Sequence, residues 1–161
     1  MLPMSQPAQP VAHGVFTVER TYPYPPARVF KANADQAAKR RWFAEGSGFE
    51  ILDYVLDFRV GGTETTRYRH GGGPEVRNDT QFQDITQDQR IVFSYRMTIA
   101  DQPISVSLST IELTAVEGGT HLKFTEQGVY YGADDQIPGR IEGSQGLLER
   151  LAAELDRQAK H

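Results

Sequence analysis

A carboxylate aimed into an apolar face is the first feature of this chain that could do chemistry. Leu122, Phe124 and Tyr130 share one phase of a period-two pattern, and Glu126 falls in the same phase, so its side chain points inward. An inward carboxylate must be paired, hydrogen-bonded or protonated, because burying a lone charge costs several kcal/mol or raises its pKa. Such a group can anchor a ligand or move a proton. Alternatively, it lies near the strand end and reaches water or a partner such as Arg96. Glu64 and His70, on the even positions of Thr63 to His70, have the same two readings. Ser144 is the third candidate: it occupies the middle of an apolar helical stripe, where a large side chain would pack best. Its hydroxyl either leaves space there or bonds back to the carbonyl of Arg140.

Aromatic residues surround these polar groups. Trp42, Phe43, Tyr54, Phe58, Tyr68, Phe82, Phe93, Tyr95 and Met97 are expected on the inner faces of strands or near the sheet mouth, with Leu148 on the helix above. Such a set serves equally as plain core or as an aromatic-lined pocket with a few polar handles. Other chemistries lack their residues. There is no G-x-S-x-G elbow, no P-loop lysine and no strand-associated G-x-G-x-x-G. Cysteine is absent, and His13, His70, His121 and His161 stand at no ligand-like spacing, so neither a metal nor another cofactor is expected.

The elements that must position these groups follow from periodicity. His13 to Thr21 reads as a first strand, stopped by Pro23, Pro25 and Pro26; two short helices then occupy about 26–33 and 36–43. Leu52, Tyr54, Leu56, Phe58 and Val60 alternate along a long half-buried strand, and Gly61-Gly62 turns into the next. Val76 to Thr86 and Arg90 to Ala100 continue the sheet. Ile104, Val106 and Leu108 keep one phase whereas Ile111 and Leu113 keep the other, which predicts a bulge between them. Short connections imply antiparallel pairing.

Ile137, Ile141, Ser144, Leu148, Leu151 and Leu155 recur at steps of four and three, with Arg140, Glu149, Arg150, Glu154 and Asp156 assigned to the polar side. A helix with such a stripe must lay it on a sheet. The fold class is therefore α+β, with about seven strands in a curved antiparallel sheet and a long C-terminal helix. Within that helix Gly139, Gly143 and Gly146 each cost roughly 1 kcal/mol relative to alanine.

Bulk properties bound the partners. The chain has 161 residues, 39% hydrophobic and 24% charged, which suits one domain over 13–161 behind a flexible tail at 1–12 containing Pro3, Pro7 and Pro10. A net charge of −4, with no basic cluster beyond Lys39-Arg40-Arg41, argues against a nucleic-acid surface; that triplet is expected on a solvated helix face. No apolar run spans a membrane and no signal peptide is visible, so membrane insertion is not expected and a cytoplasmic location is.

Six stretches in order carry a family resemblance: Tyr24-Pro-Pro-Ala-Arg-Val-Phe30, Arg41-Trp-Phe43, Leu56-Asp-Phe-Arg-Val-Gly-Gly62, Arg90-Ile-Val-Phe-Ser-Tyr95, Gly119-Thr-His-Leu122 and Glu142-Gly-Ser-Gln-Gly-Leu-Leu-Glu-Arg-Leu151. Over about Phe16 to Leu155 the chain resembles the START-like, birch-pollen-allergen-like superfamily and, within it, bacterial homologues of the heat-shock protein 90 ATPase activator. The resemblance implies a helix-grip fold, its sheet wrapped around the last helix and enclosing a cavity for a hydrophobic or amphipathic small molecule. It also implies Trp42, Phe43, Tyr54, Tyr68, Tyr95 and Leu148 as lining, allows a homodimer, and supplies no catalytic residue. Where such proteins usually carry Gly-Trp in the terminal helix, this chain has Gly143-Ser144, a change expected to enlarge the cavity or open its mouth. A proton-moving enzyme using Glu126 or His70, and a chaperone-regulating interaction module, are the alternatives to simple binding.

Overall fold

In the computed structural model, which describes residues 7–46 and 48–160, one seven-stranded sheet carries the whole fold. The strands are β1 (Val11–Tyr22), β2 (Phe49–Leu56), β3 (Thr63–His70), β4 (Val76–Thr86), β5 (Arg90–Ile99), β6 (Gln102–Val116) and β7 (Gly119–Tyr131). Their order is β1-β7-β6-β5-β4-β3-β2, every neighbouring pair antiparallel. Six strands follow one another by tight turns, and β1 closes beside β7. Residues 1–6 of the expected tail lie outside the described residues.

Between β1 and β2 run α1 (Pro26–Ala34), α2 (Gln36–Lys39) and one π-helical turn, Arg40–Ala44. Pro26 starts α1 where its missing N–H is no loss. The Asp35 carboxylate caps α2 by accepting from the Ala38 amide at 2.9 Å. The π turn swings Trp42 inward, and its indole N–H donates to the Ala32 carbonyl at 2.8 Å. The last helix, α3 (Ile137–Ala159), has 23 residues and crosses the concave face of the curved sheet. Gly14 lets it approach: a Cβ there would stand 2.2 Å from Ile137 Cδ1.

The core lies under the C-terminal half of α3, where Leu148, Leu151 and Leu155 meet Phe16, Val18, Val29, Ile91, Leu113 and Leu122. Val29, Leu122 and Leu155 are wholly buried.

Three expectations about the sheet need correction. Val60 is exposed and lies beyond β2, because 57–62 folds into a turn in which Gly62 N donates to Arg59 O and Asp57 N to Thr63 O. The β6–β7 ladder runs without a shift, so β6 has no bulge against β7 between Leu108 and Ile111. Instead Ser105, Ser107, Ser109, Ile111 and Leu113 all face inward, while Val106 and Leu108 face solvent. Hydrophobicity assigned the wrong face there because small serines fill the inner positions. The register shift lies between Met97 and Thr98 in the β5–β6 pairing, after which Thr98 is the buried residue.

Candidate functional site

Under the N-terminal half of α3 the sheet and helix do not close on each other. A recess of about 290 Å³ opens there. Its floor comes from β3, β4, β5 and β7, through Thr66, Tyr68, Thr80, Phe93, Tyr95 and Phe124 among others. Its roof is α3, through Gly139, Arg140, Gly143, Ser144 and Leu147. The roof is thin because Gly139 and Gly143 carry no side chain, and nothing stands within 4 Å of where a Cβ would be. Gly146, for which the sequence offered no packing reason, also faces open space.

Two buried carboxylates border this space, Glu126 with one cation and two tyrosines and Glu64 with one of each. Glu126, 1% exposed, accepts from the Tyr95 hydroxyl on Oε1 and from Tyr130 on Oε2 at 2.8 Å. Arg140 Nη2 stands 3.7 Å from that carboxylate while donating to Tyr95 Oη at 3.0 Å and Ser105 Oγ at 2.7 Å. Its guanidinium also lies over the rings of Tyr95 and Tyr130. Gly128 makes room for this cluster, since a Cβ there would sit 2.7 Å from the Tyr130 hydroxyl. Burial pushes the Tyr95 hydroxyl up; Arg140 opposes the rise and Glu126 adds to it, so the group stays protonated and donates.

The second cluster is Glu64, which accepts from Lys39 Nζ at 2.9 Å and from the Tyr54 hydroxyl at 2.6 Å. Burial first, then the carboxylate, pushes Tyr54 up. Lys39 is itself buried, its ammonium 4.8 Å from the Phe43 ring centroid.

The positions expected to line a pocket divide. Phe43, Tyr68, Phe93, Tyr95, Met97, Glu126 and Ser144 border the recess. Trp42, Phe58, Phe82 and Leu148 pack in or against the core instead, and Tyr54 reaches the site only through Glu64. Phe58 and Phe82 stack edge to face 5.0 Å apart, which takes both away from the opening. His70 is exposed against Phe49, outside the recess. Glu126 does not turn to Arg96, which lies exposed on the other face.

Charged residues account for most of what the sequence reading missed. Lys39-Arg40-Arg41 is solvated only in part: Arg40 is exposed beside Glu45, but Lys39 is buried on Glu64, and Arg41 forks onto Glu154 with two bonds of 2.9 Å. Arg140 and Arg150 border the recess rather than water. Glu154 is buried and also accepts from Arg157 and Gln158. Burial pushes Glu154 up, but the hydrogen bonds from Arg41, Arg157 and Gln158 outweigh it and bring its pKa down to about 2. A usable signal existed for Arg140: it stands four residues before Ser144 and three after Ile137, against the edge of the stripe. Long cationic side chains bend their heads back from such positions.

A curved antiparallel sheet gripping a long terminal helix, with a polar-edged recess between them, defines a helix-grip protein. The chain belongs to the family described as Activator of Hsp90 ATPase homolog 1-like protein, which matches residues 23–156. It is similar to protein Mll3558 from Rhizobium loti, at 57% identity over 90% of this chain and 99% of that one, TM-score 0.84. It is also similar to a putative uncharacterized protein from Rhizobium leguminosarum, at 36% identity over 92% and 98%, TM-score 0.88. A Chromobacterium violaceum protein, 24% identical over 88% and 96% with TM-score 0.71, shares the fold. Among curated proteins nothing matches. No helix of the described residues is long and apolar enough to cross a membrane, and those residues form no His, Asp or Glu group that could hold a metal ion.

Proposed function

We propose that the protein binds a small amphipathic molecule in the recess between α3 and the sheet. The observation that carries this reading is the contrast along one helix: the same sheet is packed solid beneath Leu151 and Leu155 and left open beneath Gly143 and Ser144. The volume lies at the lower edge of the ~300–1,000 Å³ range of small-molecule sites, which favours a compact ligand of one or two rings. Phe93, Phe124 and Leu147 supply apolar surface, and the polar groups around them supply orientation.

Proton transfer has one observation in its favour, since Glu126 does face the recess. Both its oxygens already accept from tyrosines, however, so neither is free to meet a substrate proton without breaking one of those bonds. The binding reading is tested by titrating the ¹⁵N-labelled protein with the neutral probe naphthalene-2-acetamide. Amide shifts concentrated on Phe93, Phe124, Ser144 and Leu147 are expected. Shifts scattered over the surface, or none at millimolar probe, would sink the proposal.

A further inference from the structure

Charge on the recess lining does not balance. Lys39 faces Glu64 and Arg140 faces Glu126, but the third cation, Arg150, has no carboxylate within salt-bridge distance among the described residues. A guanidinium offers five N–H donors. Here one of them reaches a described acceptor, the Phe43 carbonyl, at 3.4 Å from Nη2. Nε is buried and has no partner among the described residues. The planar group lies 5.8 Å from the Phe49 ring centroid, which holds it in place without neutralising it. Burial lowers its pKa, with Tyr68 opposing, as expected of a cation taken from water without a counter-charge.

Elsewhere the same helix solves this problem internally. Arg140, turned inward earlier on the helix, has Glu126 at 3.7 Å, and even the exposed Arg157 shares Glu154 with Arg41. A second orphan points the same way: Thr66 Oγ1, on the recess floor, is buried with no partner among the described residues. A cation lacking an anion and a hydroxyl lacking an acceptor, on one lining, are complementary to a ligand that brings both.

We infer that Arg150 is the subsite for a carboxylate, and that the recess takes small aromatic or short aliphatic carboxylic acids. The inference rests on the binding reading above and names its ligand class. The acid's apolar body lies against Phe93, Phe124 and Leu147, and its carboxylate receives the fork of Arg150, a geometry that planar guanidinium groups favour. Arg140 is the weaker candidate because Tyr95, Ser105 and Glu126 already occupy it.

The test compares naphthalene-2-acetate with naphthalene-2-acetamide by calorimetry at neutral pH, in the wild type, Arg150→Gln and Arg150→Lys. The acid is expected to bind the wild type at least about ten-fold more tightly than the amide, as a charge-assisted hydrogen bond supplies. Arg150→Gln should erase that gap, the acid losing about ten-fold more affinity than the amide, and Arg150→Lys should keep part of it. In the wild type alone, the Arg150 Nε–H resonance should shift with the acid and stay in place with the amide, a readout that holds even if a variant fails to fold. Equal affinity for the two probes, or an Nε–H resonance indifferent to the acid, would overturn the carboxylate subsite while leaving the binding reading intact. Failure of both probes to bind would overturn both.

Discussion

The two halves of α3 cover the same sheet and do opposite things. From Leu148 onward the helix presents leucines that are almost fully buried, and the one acid in that stretch of the stripe, Glu154, is matched by two arginines and a glutamine. From Gly139 to Leu147 it presents two glycines, a serine and an arginine over open space. Packing is thus unevenly shared along a single element: the leucines of the C-terminal half hold the helix down, and the N-terminal half, joined by Arg150, borders the recess. The sheet is divided the same way, with Ile111 and Leu113 under the packed half and Ser105 bonded to Arg140 under the open one.

Substitutions can break or sharpen that division. The largest effect is expected from Glu64→Gln, which strands the Lys39 ammonium without its counter-charge; a loss of about 3–5 kcal/mol should appear in urea unfolding. Replacing both, as Lys39→Met with Glu64→Leu, should recover most of it. Leu155→Ala, at a wholly buried position, should cost about 2–5 kcal/mol by the same assay and leave probe affinity unchanged.

Acid should act on the packed half. Glu154 has its folded pKa depressed from 4.5 to about 2, so its stabilisation is present above the unfolded value and is lost as pH falls from about 4.5 through 2. The amount is on the order of 2–3 kcal/mol. Unfolding followed across that window should lose this component in Glu154→Gln. The smallest effect is a gain: Gly146→Ala, in open space on the outer side, should stabilise by roughly 0.5–1 kcal/mol in a thermal melt and leave the recess alone.

Much of this division could be read from periodicity. The four-three spacing of Ile137, Ile141, Ser144, Leu148, Leu151 and Leu155 placed α3 on the sheet, and strand phase put Glu126 inward, because both depend on local geometry that repeats. Ser144 marked the open half for the same reason. The partners of the buried charges were out of reach: Lys39 meets Glu64, and Arg41 meets Glu154, across distances in sequence that no local pattern encodes. The inner face of β6 was misread because small buried serines at 105, 107 and 109 invert the usual relation between apolar residues and burial, sending Val106 and Leu108 outward. Of the two readings open for His70 the exposed one holds, because alternation continues to the end of β3 whereas the concave face does not.

The central claim, that the opening beneath Ser144 is kept for a ligand, is tested most directly by Ser144→Trp measured for melting temperature and probe binding together. An indole at this position would project toward a recess of about 290 Å³ and add apolar contacts there. An unchanged or higher melting temperature is expected, with binding of naphthalene-2-acetamide abolished. A lower melting temperature with binding retained would contradict it.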